Sequence, residues 1–468
     1  RGFYGSGTAF MKVVICGAGQ VGFGIAEKLA GEGNDVSIID RSPELIQSIT
    51  ESLDVRGFVG HGAHPDTLSQ AGAEQADMLI AVTLHDEVNM TACQVAHSLF
   101  NVPTKVARIR AQSYLAPHWR NLFHREHLPI DVIISPEIEV GEMVLRRLAL
   151  PGATDTVTFA DGEVVVAGVY CDENCPIVDT PLRQLTELFP DLKAVVIGIQ
   201  RGERFFVPDS SDSMLVGDIA YFAAEREQVR RTLGIFGHEE EAATRVVIVG
   251  GGNIGFYVAR EIEARQRSAR VKVIESSRER AVEVADELRR TVILHGSALD
   301  EDLLREADVA DADTIVALTN SDEANILTCV MGQKLGAARS LCLINNRGYP
   351  DLTRSLGITA YVNPRQITVS KVLQHVRRGR IRGVHAIQNG AAEIIEAEAL
   401  ETSPLVGKPL RDLDLFHGVR LGAIYRNGHV IIPRGDTHIQ PHDRIVMAAM
   451  ADQVRKVEQM FRVSLEFF

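Results

Sequence analysis

The chain contains one sequence pattern twice. The segment VVICGAGQVGFGIA at residues 13–26 returns as VVIVGGGNIGFYVA at residues 246–259, and in each copy an apolar run leads into a glycine-rich turn. The landmark residues that follow recur in order: Asp40 with Glu275, Gly62 with Gly296, Asp77 with Asp313, Thr83 with Thr319, Asp86 with Asp322, and Asn89 with Asn325. A match this long indicates a duplicated folding unit. An enzyme with one active site rarely needs two nucleotide folds in tandem, so the duplication favours sensing over catalysis.

The composition is typical of a soluble globular protein. Of the 468 residues, 45% are hydrophobic and 24% are charged, and the net charge of −13 argues against nucleic acid as a partner. No apolar run reaches the length of about 18 residues that a membrane helix needs. We expect residues 1–10 to be an added segment upstream of a natural start at Met11.

The six cysteines do not indicate a metal site. Cys171 and Cys175 have a C-x3-C spacing, but no second pair or nearby histidine completes a zinc site. We therefore expect buried, reduced thiols.

Strand and helix patterns alternate through each copy of the repeat. In the first copy KVVIC, DVSIID, VRGFVGHG, ADMLIAVT and TKVARIR have the pattern of strands, and amphipathic segments follow them. Ser42 and Pro43 are typical of the N-cap and first position of a helix. Such alternation predicts a parallel sheet with right-handed crossovers, and the apolar strand interiors indicate that both faces are covered.

A smaller module follows each large one. Short strand patterns with turn residues between them, and one closing helix, predict a small α+β domain, and CPIVDTPLRQL in the first copy returns as SPLVGKPLRDL in the second. The predicted fold class is therefore α/β, with two doubly wound, Rossmann-like parallel-sheet domains in tandem, each followed by a small α+β domain. The predicted segments are the first large module (11–150), the first small module (151–236), a polar linker (237–244), the second large module (245–382) and the second small module (383–468).

The glycine turns predict nucleotide binding. In GAGQVG the first glycine permits a tight turn, the second lets a pyrophosphate approach the backbone, and the third lets the helix pack on the strand. Asp40, and Glu275 after GGGNIG, end the second strand of each copy, where a carboxylate accepts hydrogen bonds from ribose hydroxyls and repels a 2′-phosphate. Arg41 could instead favour NADP, although a solvated arginine at a helix start explains it better.

Other recurring residues lie where the strands of such a sheet end. Thr83 and Thr319 end the fourth strand at the edge where ligands bind, although strand-end threonines also cap loops. Asp86 and Asp322 suit the dipole of the helix that follows. Arg108 or Arg110, at the end of the fifth strand, either reaches a phosphate or forms a surface salt bridge. These residues leave nucleotide contact and structural roles both open.

The chain shows no convincing catalytic constellation. A dehydrogenase needs a proton-transfer residue beside the nicotinamide, and the small modules contain no clear His/Asp or Lys/Tyr arrangement. His61 and His295 recur, but His64 has no counterpart because Ala298 takes its place. We therefore predict that the chain is not an enzyme. An NAD-dependent oxidoreductase that acts on a small soluble substrate is the alternative.

These motifs together resemble a known family. GAGQVG with Asp40, GHGAHPDTLSQAGAEQADMLIAVT, DEVNMTACQVA and GGGNIG with DEANILT are similar to the TrkA family, the peripheral nucleotide-binding subunits of bacterial Trk potassium uptake systems. That family is built from two regulator-of-K⁺-conductance (RCK) units, and the resemblance covers essentially everything after Met11.

The resemblance implies particular nucleotide contacts. In the first copy these are Gly17, Ala18, Gly19, Gln20, Val21, Gly22, Asp40, Thr83, Leu84 and Arg108. In the second copy they are Gly252, Asn253, Ile254, Gly255, Glu275, Thr319 and Asn320. Asn345 lies near the position expected for a counterpart of Arg108, so the second site is expected to contact phosphate less well.

The resemblance also implies cofactors and partners. It predicts binding of NAD(H), with ATP or ADP as further ligands, a homo-oligomeric ring of RCK units, and docking on a membrane-embedded potassium-translocating Trk subunit. The location implied is cytoplasmic, at the inner face of the cell membrane. The basic run HVRRGRIRGVH at 375–385 either meets an acidic or lipid-headgroup surface or is a solvated linker.

Overall fold

The computed structural model describes residues 11–346, 348–358, 360–376, 381–387, 390–413 and 417–461. The predicted added segment at 1–10 and residues 377–380 of the basic run lie outside the described residues. Contacts divide the chain into two compact units. The first unit comprises the chain up to Val140 together with Asn363–His375, and the second comprises the rest.

The first large module has the predicted parallel sheet. In spatial order its strands are Arg56–Val59, Asp35–Asp40, Lys12–Cys16, Met78–Ala81, Thr104–Arg108 and Val132–Ile134. Every neighbouring pair is parallel. The strand order reverses beside the first strand, and in doubly wound sheets the crevice at that reversal is where ligands bind.

Helices connect these strands as the sequence predicts. They are Gln20–Gly31, Pro43–Ser52, Pro65–Gln70, Asp86–Phe100 and Pro136–Ala149. The hydroxyl of Ser42 accepts a hydrogen bond of 3.2 Å from the amide of Leu45, which confirms the predicted cap. Two short 3-10 turns, Gln112–Leu115 and Pro117–Phe123, precede the sixth strand.

The second large module repeats the strand order of the first. Its strands, again in spatial order, are Val292–His295, Arg270–Glu275, Arg245–Val249, Thr314–Ala317, Ser340–Leu343 and Ala360–Val362. Its helices are Asn253–Arg265, Arg278–Glu287, Glu301–Glu306, Asp322–Leu335, Pro350–Ser355 and Pro364–Val376. Each sheet therefore places its own glycine turn at the carboxyl end of its first strand.

Each small module is a five-stranded antiparallel sheet with helices. The first sheet has the order Arg204–Phe206, Ala194–Arg201, Ile219–Glu225, Val164–Tyr170 and Ala153–Phe159. The second has the order Ile381–Ile387, Ala392–Glu398, Arg444–Met450, Val419–Arg426 and His429–Ile431. The closing helices are Val229–Ile235 and Val454–Met460.

The prediction of a single helix in the first small module was wrong. A second helix, Leu182–Leu188, follows Pro181, and the corresponding segment of the second small module forms only the 3-10 turn Leu410–Asp412. The helix has two turns and buries Leu182 alone among its residues, so its apolar periodicity is too short to stand out in the sequence.

The two small modules share a hydrophobic core. Phe159 and Ile197 of the first pack in one buried cluster with Ile394 and Val446 of the second. A Cβ on Gly422 would lie 2.7 Å from the Cβ of Ala223, so the sheets approach closely there. Within the second unit, the small modules therefore form a sandwich.

The linker at 237–244 contains no helix or strand, as predicted, but it is anchored along its length. A ring nitrogen of His238 lies 3.0 Å from the carbonyl oxygen of Tyr170. The amide of Ala243 donates a 2.9 Å hydrogen bond to the carbonyl of Leu148, and Ala243 is buried. The polar sequence of the linker gave no indication of these two contacts.

The last helix of each large module packs on the first helix of the other repeat. Within the first unit, a Cβ on Gly24 would lie 2.9 Å from the side chain of Val369, and Arg365 stacks over Phe23. Within the second unit, a Cβ on Gly141 would lie 2.3 Å from the ring of Tyr257. The duplicated halves therefore exchange these helices.

Candidate functional site

The first glycine turn, residues 17–22, shows why three glycines are needed. Gly17 has a φ of +110°, a value that residues with a side chain rarely adopt. A Cβ on Gly22 would lie 1.8 Å from the carbonyl oxygen of Gly17, so no larger residue fits there. A Cβ on Gly19 would meet no atom within 4 Å. The space over Gly19 is therefore open to a ligand.

The second glycine turn, residues 250–255, has the same geometry. Gly250 has a φ of +101°, and a Cβ on Gly255 would lie 1.9 Å from the carbonyl oxygen of Gly250. A Cβ on Gly252 would again meet no atom within 4 Å. Both turns thus combine two sterically required glycines with one glycine that faces open space.

The helices that follow the glycine turns begin without a side-chain cap. Gly19 and Gly252 occupy their N-cap positions, and within the described residues no side chain caps either helix. By contrast, Ser42 and Ser277 cap the next helix of each large module through their hydroxyls. The uncapped first turns contain Gln20, Val21, Asn253 and Ile254. Amides at such a helix start have no intrahelical partner and, with the helix dipole, provide an anion site.

A carboxylate faces each glycine turn. The two oxygens of Asp40 accept hydrogen bonds from the amides of Ala18 (2.7 Å) and Ser42 (2.9 Å). Glu275 accepts in the same way from Gly251 and Ser277, both at 2.7 Å. A carboxylate oxygen has a further lone pair for a ribose hydroxyl, so these bonds orient the acid without exhausting it. Glu275 is buried and Asp40 is partly exposed, so the first carboxylate is the more accessible.

Thr83 is held by a buried asparagine. The amide and the hydroxyl of Thr83 donate to Oδ1 of Asn89 at 2.9 and 2.7 Å, and Nδ2 of Asn89 donates to the carbonyls of Thr83 and Arg108 at 3.2 and 2.9 Å. Asn89 therefore ties the end of the fourth strand to the end of the fifth.

The second copy repeats this set of hydrogen bonds, in which a buried asparagine joins the ends of the fourth and fifth strands. We call it the asparagine bracket. Thr319 donates to Asn325 at 2.9 and 2.6 Å, and Asn325 donates to the carbonyls of Thr319 and Leu343 at 3.0 and 2.9 Å. Both asparagines are fully buried. Their recurrence in the sequence was the signal for this structural role, which the sequence patterns alone did not predict.

Leu84 and Asn320 directly follow the two threonines. Leu84 is 74% exposed, and Asn320 is also exposed. Both lie at the carboxyl edge of the sheet, on the same edge as the glycine turns. They are available to a ligand there, one as an apolar surface and the other as an amide.

Arg108 is buried at the first site. Its Nη2 donates to the carbonyl of Thr83 at 3.1 Å, while Nε is buried without a hydrogen-bond partner among the described residues. Burial, followed by the charge of Arg110, lowers the pKa of Arg108. An oxyanion beside this guanidinium would reduce that cost, because it would pair a buried charge.

The prediction that Asn345 lies near the counterpart position of Arg108 was wrong by two residues. Asn89 bonds the carbonyl of Arg108, and the equivalent Asn325 bonds that of Leu343, so Leu343 is the true counterpart. Asn345 instead corresponds to Arg110. The helix before the fifth strand has 15 residues in the first copy and 14 in the second, so the offset between the copies changes there. The second site still lacks an arginine at this position.

Asp86 and Asp322 do more than complement a helix dipole. One oxygen of Asp86 accepts hydrogen bonds from the amides of Arg110 and Ala111 at 2.9 and 2.8 Å. Asp322 accepts from the amides of Asn345 and Asn346 in the same way. Each aspartate therefore fixes the chain beyond the fifth strand, which is a structural role.

Comparison with known families matches the chain in its duplicated parts. The TrkA-N domain family matches residues 13–136 and 246–364, and the TrkA-C domain family matches residues 166–237 and 394–462. A Trk system potassium uptake protein TrkA from Azorhizobium caulinodans is 66% identical over 98% of this chain and its own full length. The chain belongs to the TrkA family. A TrkA protein from Halomonas elongata is 41% identical over 98% of this chain and its own full length.

Solved structures share the fold of this TrkA-family chain. The GsuK RCK domain superposes with a TM-score of 0.59 at 16% identity and covers 97% of this chain and 95% of its own. The GsuK channel bound to NAD superposes with a TM-score of 0.60 at 15% identity and covers 97% of this chain and 79% of its own. The tandem RCK arrangement expected from the sequence is thereby confirmed as the fold.

Two histidines of this TrkA-family chain, His61 and His64, form a pair near Arg41. The rings of His61 and His64 stack with centroids 4.4 Å apart. Burial, together with the charges of His64, Arg41 and His85, lowers the pKa of His61. Nothing in this arrangement supplies a proton acceptor with an orienting carboxylate, as a catalytic histidine would need.

One residue at the second site was missed by the sequence analysis. Nε of Arg280 donates to the carbonyl of Gly251 at 2.8 Å, and its guanidinium lies 5.5 Å from the ring centre of Phe256. The second glycine turn therefore has a cation beside it, contributed by the helix Arg278–Glu287. Its position on a helix surface gave no sequence signal.

Across the described residues, no helix is both long and apolar enough to cross a membrane.

Proposed function

We propose that the chain is a nucleotide-sensing regulatory subunit of a potassium uptake system. One observation carries this proposal. This TrkA-family chain has two glycine turns, and each is followed by an uncapped helix start and faced by a carboxylate. The cleft residues bind and orient an anion, and the constellation contains no group placed for proton transfer. Binding without turnover is what a sensor requires.

The proposed ligand is NAD(H), with ATP and ADP as further candidates. The pyrophosphate would lie on the amides of Gln20 and Val21, over Gly19. Asp40 would accept the adenosine ribose hydroxyls, and Leu84 would cover an apolar face of the base. The structure of the GsuK channel bound to NAD concerns a protein of the same fold, and it supports NAD as the first ligand to test.

The proposed mechanism is a shift between two conformations. The carboxyl edge of each sheet is fixed by the asparagine brackets, so a bound nucleotide contacts a rigid surface. A nucleotide changes the balance between conformations only by the ratio of its affinities for them. We propose that copies of the chain form a ring at the cytoplasmic face of a membrane potassium-translocating subunit, and that the ring transmits this shift.

An experiment that separates the regulator from the oxidoreductase uses the purified chain and NADH. We expect saturable binding without NADH oxidation in the presence of small alcohols, aldehydes or hydroxy acids. In cells that lack their own TrkA protein, the chain should restore potassium uptake. Sustained NADH oxidation with one of these substrates, together with failure to restore uptake, would reject the proposal.

The ribose assignment has its own test. Asp40→Ala should weaken NADH binding at the first site by about tenfold or more, since it removes a charged acceptor. Glu275→Ala should do the same at the second site. Glu173→Ala, which changes an exposed acid of a small module, is the control. Equal NADH affinities in all of these proteins would refute the assignment.

A further inference from the structure

A pocket of about 600 Å³, broadly open to solvent, lies between the two small modules, within the second unit. Residues 158–162, at the end of the strand Ala153–Phe159 and in the turn after it, form one wall. Five charged side chains complete the lining, namely Asp161, Arg226, Arg382, Glu396 and Arg444. We call it the arginine cavity. Its volume falls within the range of about 300–1,000 Å³ that is typical of small-molecule sites.

Arg444 is the fixed centre of the arginine cavity. Its Nη1 lies 2.5 Å from Oδ2 of Asp161, and its Nε lies 2.5 Å from Oε1 of Glu396. The second oxygen of Glu396 accepts the amide of Ala160 at 3.2 Å. Glu396 and Arg444 are largely buried, so the two modules hold this ion pair away from water.

The other two arginines keep donors for a further acceptor. Arg382 donates to Glu398 through Nε and Nη2, and within the described residues Nη1 has no hydrogen-bond partner. Arg226 donates only through Nε, to the carbonyl of Gly162 at 2.8 Å, and within the described part of the chain no carboxylate pairs with it. The guanidinium of Arg226 is therefore oriented by backbone while its two terminal nitrogens remain available.

The duplication allows the charged residues of the arginine cavity to be compared with the equivalent positions of the other repeat. Strand registers and the Arg226 amide bond to Glu163, which matches that of Ala451 to Ala391, align the two small modules residue by residue. The counterparts of Arg382, Glu396, Arg444 and Arg226 are Thr154, Gly168, Ile219 and Ala451.

All four counterparts are uncharged, yet they occupy the same positions in the same sandwich. Burying paired charges is seldom more stabilising than apolar packing of similar volume. The charged set is thus confined to one side of the pseudosymmetric sandwich, and its buried pair, Glu396 and Arg444, lies where the other repeat has a glycine and an isoleucine.

We propose that the arginine cavity binds a phosphate-bearing small molecule, with Arg226 as the principal contact. A planar guanidinium fork matches two oxygens of a phosphate, and Arg382 Nη1 adds a donor from the opposite module. A ligand held by Arg226 and Arg382 joins the first small module to the second. This site is separate from the glycine turns and does not depend on the proposed nucleotide function.

The test uses inorganic phosphate and ribose 5-phosphate as probes, titrated calorimetrically into the full chain. Ribose 5-phosphate lacks the adenine of a nucleotide and carries a phosphate monoester, the group that the arginines would hold. We expect one saturable site per chain. Arg226→Ala should weaken binding at least tenfold, Arg226→Lys should weaken it less, and Arg231→Ala, an exposed arginine of the adjacent helix, should leave it unchanged.

Two results would overturn the proposal. They are the absence of saturable binding by either probe at millimolar concentration, and equal binding by the Arg226→Ala and Arg231→Ala proteins. Tighter binding of ribose 5-phosphate would identify a phosphate monoester as the ligand class, and equal binding of the two probes would identify the phosphate group alone. NADH titration of Arg226→Ala should match that of the unmodified chain, so failure here is distinguishable from failure of the nucleotide proposal.

Discussion

At the level of single residues, the glycines of each turn have different physical roles. Gly17 provides a left-handed backbone, and Gly22 permits contact between helix and strand. Gly19 has an ordinary φ of −65° and empty space where a side chain would stand. Only the last of these roles concerns the ligand directly. Substitutions should therefore separate folding from binding.

Gly22→Ala should destabilise the chain by about 3 kcal/mol, since its Cβ would meet a backbone oxygen that cannot move aside. Gly19→Ala should change the free energy of unfolding by less than about 1 kcal/mol, since alanine is only a weaker N-cap than glycine. Urea unfolding of the two variants measures this difference. Equal destabilisation would contradict the assigned roles.

Asn89 makes four hydrogen bonds from a fully buried position. Asn89→Ala should lower the free energy of unfolding by about 3 kcal/mol, because it leaves buried backbone groups of Thr83 and Arg108 without partners. Gln94→Ala, on the same helix, should cost less than about 0.5 kcal/mol. Thermal or urea unfolding of both variants is the measurement, and similar losses would show that the bracket carries no special energy.

At the level of elements, features with a local sequence signal could be predicted, whereas contacts between segments far apart in the sequence could not. The strands, the glycine turns and the Ser42 cap could be predicted because their signals lie within a few residues. The helix Leu182–Leu188 was missed since two turns give too little periodicity. The anchoring of His238 and the pairing of Asn325 with Leu343 depend on segments brought together only by folding.

The exchanged helices show the same limit. Glu142, on the helix Pro136–Ala149, accepts hydrogen bonds from Tyr257 at 2.7 Å and from Arg265 at 2.5 and 3.1 Å. Burial alone would raise the pKa of Glu142, but the bonds from Arg265 and Tyr257 outweigh it and lower the pKa below 4.5. The sequence contains these residues far apart and gives no sign of the contact.

This pKa shift has a defined sign. A carboxyl whose pKa is lower in the folded state stabilises the fold above about pH 4.5, and that contribution is lost as the pH falls through the folded value. Glu142→Gln should therefore cost about 1 kcal/mol at pH 7, limited by solvent screening, and less at pH 3. Unfolding at the two pH values tests this, with the exposed Glu173→Gln as control. A pH-independent difference would be contrary to the argument.

At the level of the whole molecule, the two halves contain unequal copies of one candidate nucleotide site. Both keep the glycine turn, the carboxylate and the asparagine bracket. Only the first has a buried arginine beside the bracket, because its counterpart is Leu343. The second has Arg280 on the opposite side of its turn. One ligand should therefore bind the two halves with different affinities.

Arg108→Leu should remove much of this inequality. Because it places the second half's residue type in the first half, the first site should lose about tenfold in NADH affinity. Arg56→Leu, which changes an exposed arginine paired with Asp35, should leave both affinities unchanged. Fluorescence titration with NADH measures the effect, and an unchanged first affinity would remove Arg108 from the site.

The most direct measurement is calorimetric titration of NADH into the full chain and into Gly19→Ala and Gly252→Ala, whose added methyl groups fill the ligand space without touching protein atoms. We predict two unequal sites per chain, with the tighter site lost in Gly19→Ala, the weaker site lost in Gly252→Ala, and no binding in the double variant. NADH binding that is the same in all four proteins would contradict the claim that the glycine turns bind nucleotide.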